Sequence, residues 1–178
     1  TLPPADLTTS RILQTWWPLA LGWLIMNVEM PVLSAFVARM FDPKHNLAAW
    51  GIVVSLAMIL ASPVMMMLSA STALSKDWAS YCRVRRYMFV IAGGLTLLHG
   101  LMVFTPLFDW VVIDVMGAPL EIVESIRMGL TIMLPWCIPL AFRRLNYGVL
   151  IRFGHQSAIT VGAIIRLSVE AVVVGILF

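Results

Sequence analysis

The sequence predicts an all-α protein, a polytopic bundle of about five transmembrane helices. Hydrophobic residues make up 61% of the 178 residues and charged residues 12%, and the mean hydropathy is +0.93. A soluble domain is about half apolar and a quarter charged, so a water-soluble fold of this length would leave too much apolar surface in water. Uncharged runs long enough to cross a bilayer recur along the chain, separated by short polar segments. These observations favour one transmembrane domain over residues 1–178.

The first two spans are predicted at about residues 12–40 and 47–74, joined by a tight turn at Phe41–Asn46. The first span carries one acid, Glu29, and a proline two residues later, Pro31. Because proline removes a helix hydrogen bond, we expect a bend beside the acid. The second span has no charged residue and is the clearest span in the chain.

The remaining spans follow two polar segments. Ser75–Arg86 is predicted to be a basic loop, and Asp109–Glu124 a helix end, a turn and an interfacial piece. The fourth span contains two prolines, and its continuation as a helix to Phe153 is left open. The three spans are predicted at about residues 87–108, 122–144 and 158–178.

Basic residues near the span ends predict the orientation, because loops rich in lysine and arginine stay in the cytoplasm. Eight of them lie near the N-terminus or in the second and fourth loops, and three lie on the opposite side. The eight are Arg11, Lys76, Arg83, Arg85, Arg86, Arg143, Arg144 and Arg152, and the three are Arg39, Lys44 and Arg127. We therefore expect a multi-pass protein of the inner cell membrane with its N-terminus in the cytoplasm.

Glu29 is the sharpest candidate for function. An ionised residue at the centre of a span costs roughly 2.5 to 3.5 kcal/mol, and such residues usually mark a substrate or ion pathway. Glu29 lies beside Asn27 and Pro31 and is predicted to bind a proton or a cation while the bundle alternates between states. The alternative is a helix-packing acid that is protonated or hydrogen-bonded to a partner.

Three arginines and one further acid lie within or beside the last two spans. Arg166 and Glu170 are four residues apart on one helix face, so they form either a structural ion pair or part of the pathway. Arg143 and Arg144 either mark the cytoplasmic interface or face a cavity. If the arginines do line a cavity, an anionic substrate is favoured, because guanidinium binds phosphate and carboxylate in a bidentate manner.

His99, in the third span, is either a proton relay or a histidine hydrogen-bonded across helices. Cys82 and Cys137 have no metal-ligand or redox spacing, and we expect packing roles for both. No phosphate loop, zinc pattern or nucleic-acid motif occurs, and no nucleophile and base share a helix face. We therefore expect no enzyme, metal, organic cofactor or nucleic-acid partner.

Several short stretches carry a family resemblance. The first helix contains Pro18–Ala20 and Phe36–Met40, Leu47–Gly51 follows the turn, and Arg144–His155 comes later. This order resembles the N-terminal half of MATE-type multidrug extrusion proteins and the wider multidrug, oligosaccharidyl-lipid and polysaccharide flippase superfamily. A further pair of stretches is similar to the progressive-ankylosis-like branch: Glu29–Pro31 and Ala70–Asp77.

The resemblance implies two lobes of about six helices each around a central cavity, with alternating access driven by a proton or sodium gradient. About five helices are predicted here, and the last apolar run, Val172–Phe178, has no polar flank. We therefore expect a fragment or half whose partner is a C-terminal lobe of the same chain. The family's first-helix acid aligns only approximately with Glu29, and Leu33 stands where many members have aspartate, which leaves the coupling ion open.

The leading hypothesis is an ion-coupled exporter of MATE type, embedded in the lipid bilayer, that transports an anionic or amphiphilic small molecule. The first alternative is a flippase for lipid-linked polysaccharides. The second is a non-transporting membrane scaffold subunit that is complete at about five spans.

Overall fold

The structure is a computed structural model that describes residues 9–177. It is 88% helical, with no strand among the described residues, so the predicted all-α fold class is confirmed. Residues 1–8 and 178 lie outside the described part, as do a few side chains within helices. Among these side chains are Arg11, used above for orientation, and Pro18, used for the family resemblance.

Five segments are long and apolar enough to cross a membrane. They are Ala20–Val37, Pro43–Leu74, Trp78–Phe104, Leu120–Arg152 and Gln156–Val173. Each overlaps one predicted span, so the multi-pass organisation follows directly from the length and composition of the helices.

The helices within these segments are more divided than the sequence predicts. In chain order they are α1 (Thr9–Val37), α2 (Pro43–Met65), α3 (Met67–Leu74), α4 (Trp78–Phe104), α5 (Leu107–Asp109), a π-helical segment (Trp110–Val115), α6 (Leu120–Ile132), a 3-10 turn (Leu134–Trp136), α7 (Cys137–Arg152) and α8 (Gln156–Leu177).

The chain forms two compact units. One contains Thr1–Leu33 and Phe153–Phe178, and therefore most of α1 together with α8; the other contains Ser34–Arg152 and the helices α2 to α7. In the second unit α2 packs on α6, and α3 packs on α7. Two buried apolar clusters form its core, one centred on Phe108, Ile126 and Leu130 and the other on Met88, Ala141 and Leu145.

The two longest segments of the second unit, Pro43–Leu74 and Leu120–Arg152, are both interrupted. α2 includes Pro63 and ends at Met65, and the Met66 N–H donates to the Pro63 carbonyl oxygen at 3.3 Å. The fourth span changes to a 3-10 turn, Leu134–Trp136, before α7 begins. Pro135 lies in this turn and lacks the N–H that would continue the hydrogen-bond ladder of α6. The fourth span then continues to Arg152, which is the longer of the two predicted alternatives.

The basic loop predicted at Ser75–Arg86 is wrong for most of its length. Only Ser75, Lys76 and Asp77 connect α3 to α4, because α4 begins at Trp78 and carries the arginines on its first turns. The physical reason is the N-cap: Asp77 Oδ1 accepts a hydrogen bond from the Ser80 N–H at 2.7 Å. The third span therefore begins nine residues earlier than predicted and ends at Phe104 instead of Phe108.

The turn predicted at Phe41–Asn46 is also shorter than expected. Asp42 adopts the left-handed conformation with φ of 57°, and α2 starts at the next residue, Pro43. Proline suits the first position of a helix because no N–H is needed there. The helix therefore includes Lys44, His45 and Asn46.

Asp77 gives the stability of this fold a predicted dependence on pH. The hydrogen bond from the Ser80 backbone holds the pKa of Asp77 below its ordinary value. Because the pKa is lower in the folded state, the contribution is present above the unfolded pKa and is lost as pH falls through the folded pKa. We expect Asp77→Ala to lower the thermal midpoint of the detergent-solubilised protein at neutral pH and to make that midpoint depend less on pH in the acid range. Asp77→Asn keeps a capping oxygen, so its midpoint at neutral pH should fall less, but its midpoint should show the same reduced dependence on acid pH.

An especially close helix contact lies between α3 and α7. A Cβ at Gly148 would lie 2.5 Å from the Leu68 carbonyl oxygen and 2.7 Å from Ser71 Cβ. Ser71 Oγ donates to the Leu145 carbonyl oxygen at 2.7 Å, and Arg152 Nη1 donates to the Thr72 carbonyl oxygen at 2.7 Å. The absence of a side chain at Gly148 lets the backbones approach, and hydroxyl and guanidinium donors satisfy carbonyls at the contact.

Candidate functional site

The candidate site is an ion pair between α1 and α8, inside the first unit. Arg166 Nη1 donates to Glu29 Oε1 at 2.7 Å, and Arg166 Nη2 contacts Glu29 Oε2 in the same bidentate arrangement. The Glu29 side chain is 17% exposed and that of Arg166 27% exposed. Two parallel charge-assisted bonds of this kind fix both distance and orientation.

Both partners lie near the middle of membrane-crossing segments. Glu29 is near the centre of Ala20–Val37, and Arg166 is near the centre of Gln156–Val173. No other charged residue lies in Ala20–Val37. The pair therefore lies where an isolated charge is most expensive and where a charged partner offsets most of that cost.

The local packing shows that α1 and α8 run parallel at this contact. A Cβ at Gly22 would lie 3.6 Å from Thr160 Oγ1, and seven residues further along α1 Glu29 meets Arg166. Contacts that advance in the same chain direction on both helices require parallel axes.

Glu170 adds a second carboxylate to the pair. It lies one turn after Arg166 on α8, and its Oε1 is 3.6 Å from Arg166 Nη1. The i,i+4 ion pair predicted from spacing is therefore present, but Glu29 is the closer partner of the arginine. Arg166 therefore contacts one carboxylate from each of the two helices.

The two other first-span candidates lie outside this cluster. The Asn27 side-chain amide donates to the Trp23 carbonyl oxygen at 2.8 Å, one turn earlier on α1. Pro31 is exposed, and α1 continues through it to Val37. Glu29 is thus the first-span residue that the structure brings to the ion pair.

Arg143 and Arg144 belong to the second unit, on α7. Arg144 is buried, with 8% of its surface exposed, on the α7 face that also buries Ala141 and Leu145. Arg143 is half-buried. Burial shows that Arg144 packs within the second unit, and the choice between the interface and a cavity stays a prediction.

His99 is buried on the face of α4 that also buries Ala92, Met102 and Val103. Its Nε2 has no hydrogen-bond partner among the described residues. Nε2 therefore makes no cross-helix hydrogen bond within the described part of the chain, and the choice between a proton relay and a hydrogen-bonded histidine stays a prediction.

Two polar contacts at the connections between helices escaped sequence reasoning. His45 lies between Asp42 and Glu121, with Nε2 2.9 Å from Glu121 Oε2. Arg127 Nη2 donates to Asp109 Oδ1 at 2.7 Å. All of these side chains are a third exposed or more, so each ion pair contributes little to stability.

The Glu29–Arg166 pair also escaped sequence reasoning, because its partners are 137 residues apart. The available signal was charge balance: an acid near the centre of the first span and an arginine near the centre of the fifth each need an opposite charge.

Within residues 9–177 no three histidine, cysteine or carboxylate side chains are grouped to hold a metal ion.

Comparison of the chain with models of known protein families, with curated proteins and with solved structures gives no match. The resemblance to MATE-type proteins therefore stays a prediction from the sequence.

Proposed function

We propose that the chain belongs to a secondary-active transporter in which Glu29 couples ion movement to export. The observation that carries the proposal is the mid-span cluster of Glu29, Arg166 and Glu170. Five segments long and apolar enough to cross a membrane provide the setting for it.

The geometry of the cluster supports this function. Two carboxylates, from Glu29 and Glu170, contact the one guanidinium of Arg166. One of them can therefore accept a proton or a sodium ion while the other keeps its contact with Arg166. When that ion binds, one carboxylate is neutralised and its hold on Arg166 weakens, which changes the interaction between α1 and α8. A site whose helix contacts depend on ion occupancy has the property that coupling requires.

The broken helices support the same proposal. Many secondary transporters contain discontinuous helices whose half-helix ends lie at the substrate and ion sites. Here the second span is interrupted at Met66 and the fourth around Pro135. We propose that the helix ends at these two interruptions contribute to the substrate pathway.

The proposed substrate is an anionic or amphiphilic small molecule. Arg144, which is buried, and its neighbour Arg143 supply positive charge on α7. Guanidinium groups recognise carboxylates and phosphates, and the apolar surroundings suit a substrate with a hydrophobic part.

We place the protein in the inner membrane with its N-terminus in the cytoplasm and propose a MATE-like exporter.

The test is gradient-driven uptake into everted membrane vesicles from cells that express the whole transporter to which the chain is proposed to belong. Labelled taurocholate serves as the anionic amphiphile and ethidium as the cationic comparison, with either a pH or a sodium gradient imposed. We expect wild-type vesicles to take up taurocholate only with a gradient, and Glu29→Gln vesicles to fall to the level of vesicles without the protein. Membrane insertion is checked by immunoblotting of the same vesicles.

Glu124→Gln is the matched control, because Glu124 is an exposed acid on α6 and the substitution removes the same charge. It should leave uptake unchanged. Equal uptake by wild-type and Glu29→Gln vesicles would overturn the coupling role. Uptake of neither probe by the wild type would contradict the transporter proposal for this substrate class and favour a scaffold.

A further inference from the structure

His45 lies at the start of α2 between two carboxylates that come from different parts of the chain. Its Nδ1 contacts Asp42 Oδ2, three residues earlier, in the turn before α2. Its Nε2 is 2.9 Å from Oε2 of Glu121, which lies on the first turn of α6. The imidazole ring therefore connects the beginning of α2 with the beginning of α6.

The protonation state of the ring decides how many of these contacts are hydrogen bonds. An ionised carboxylate only accepts hydrogen bonds, so a ring nitrogen must carry a proton to bond it. The imidazolium has an N–H on both nitrogens, whereas the neutral imidazole has an N–H on one of them. Both contacts are therefore favourable only while His45 is protonated, because a neutral ring presents a lone pair to one of the two negative charges.

His45 can exchange protons with water. Its side chain is 48% exposed, and that of Glu121 is 76% exposed. The segment Pro43–Leu74 has 32 residues and is about 48 Å long as a helix, more than the roughly 30 Å of hydrocarbon in a bilayer, so its first residues reach the aqueous side. Histidine is the side chain that ordinarily changes charge between about pH 5 and pH 8.

The ion pairs of His45 in the described part of the chain are those with Asp42 and Glu121. Of the other helices that pack on α2, α3 has no charged residue, and the arginines of α7 lie beyond the whole length of α6. α4 has no charged residue in its second half, where the buried His99 is the titratable group. The remaining charged residues beside this end of α2 are Arg39, Lys44, Asp114 and Glu124.

The contact with Glu121 is the one that a neutral His45 gives up. Asp42 and His45 are three residues apart, so their contact restrains one short turn of the chain. Glu121 is 76 residues away on another helix, and its contact restrains two helix ends and a long, exposed side chain. Keeping the second contact costs more conformational entropy, so the single remaining N–H stays on Nδ1, with Asp42.

We propose that His45 is a pH-sensitive clasp between α2 and α6, closed at acid pH and open at alkaline pH. In the closed state the imidazolium donates to Asp42 and Glu121 together. In the open state it keeps Asp42 and releases Glu121, so the clasp's contribution to stability is present at acid pH and is lost as the pH rises. The clasp lies within the second unit and does not depend on the proposed transport function.

Opening of the clasp affects only the first turns of the two helices. Further along, α2 and α6 pack closely, since a Cβ at Gly129 would lie 2.8 Å from a methyl group of Val53. The buried side chains of Val53, Ile126 and Leu130 belong to one apolar cluster that spans both helices. The packed part of the helices therefore stays in place while their exposed ends are joined or released.

The test is a double-mutant cycle on His45 and Glu121, measured as the unfolding equilibrium constant of the purified chain in mixed micelles. His45→Ala, Glu121→Ala and the double variant are compared with the wild type at about pH 5.5 and about pH 8.5, on either side of the range in which histidine ordinarily titrates. At the acid pH we expect the two substitutions to be coupled roughly two- to fivefold in the unfolding constant, as for other exposed ion pairs. At the alkaline pH we expect no coupling.

A matched control uses Glu124, an exposed acid three residues after Glu121 on α6. Glu124→Ala removes the same charge and should show no coupling with His45→Ala at either pH. A second control, His155→Ala, removes an exposed histidine from the first unit and should leave the pH dependence of the second unit's stability unchanged.

Asp42→Gly identifies the contact that opens. Asp42 has a φ of 57° and makes no capping hydrogen bond with its side chain, so glycine keeps the turn and removes only the carboxylate. We expect His45 and Asp42 to remain coupled at both pH values.

Three results would overturn the proposal. They are equal coupling of His45 with Glu121 at both pH values, no coupling of this pair at either pH, and coupling of His45 with Glu124 as strong as that with Glu121.

Discussion

Gly148→Ala is expected to destabilise the second unit strongly, because backbone atoms of α3 already fill the space that the added methyl group would occupy. Its Cβ would lie 2.5 Å from a backbone oxygen of Leu68 and 2.9 Å from the backbone nitrogen of Thr72. Backbone atoms cannot rotate away as a flexible side chain can, so α3 and α7 must separate. Overpacking of a close contact costs about 1 to 3 kcal/mol, and separation also lengthens the bond from Ser71 to the Leu145 carbonyl oxygen.

The measurement is the free energy of unfolding in mixed micelles, with helix content followed by circular dichroism. Gly94→Ala is the control: Gly94 lies within a helix, and its Cβ would meet no atom within 4 Å. Alanine should there be neutral or stabilising by up to about 1 kcal/mol, because glycine is the poorer helix former. If the two variants have equal stability, the α3–α7 contact is not as close as the structure describes.

Arg166→Leu is expected to destabilise the first unit by about 3 to 5 kcal/mol, since it leaves the mostly buried carboxylate of Glu29 without its guanidinium partner. Glu29→Gln should cost less, because Arg166 retains Glu170 as a partner. We expect the double variant Glu29→Gln/Arg166→Leu to be more stable than Arg166→Leu alone, because the unpaired charge of Glu29 is gone.

A double-mutant cycle on Glu29 and Arg166 measures this coupling. The four proteins are compared by their free energy of unfolding at neutral pH. A coupling free energy of more than about 1 kcal/mol is expected for two charges in direct bidentate contact. Additive effects would show that the two side chains do not interact and would remove the structural basis of the candidate site.

The spans were predictable because uncharged runs of about 20 residues have few alternatives to crossing a bilayer. Helix ends were less predictable, and Ser75–Arg86 shows why. A cluster of basic residues resembles a loop, yet the Asp77 cap starts a helix there and arginine is a good helix former. Charge identifies the membrane interface in this segment but does not decide whether the backbone is helical.

The candidate site was predictable only in part. Composition pointed to Glu29 and to the local pair of Arg166 and Glu170, because intramembrane charges are few and i,i+4 spacing is visible in the sequence. The pairing of Glu29 with Arg166 depends on the packing of α1 against α8, which helical periodicity within one segment does not determine. The interruptions at Met66 and around Pro135 were not predicted: Pro63 and Pro139 lie inside helices that continue past them, so a proline alone does not locate a break.

The central claim is that Glu29 couples ion movement to transport, and it is tested most directly by recording the ion. Purified wild-type and Glu29→Gln proteins are reconstituted into liposomes that contain a pH-sensitive or sodium-sensitive dye, and an ion gradient is imposed. On addition of taurocholate, the wild-type protein should dissipate one of the two gradients, and Glu29→Gln should leave both unchanged. Dissipation of the same gradient at the same rate by Glu29→Gln would contradict the account.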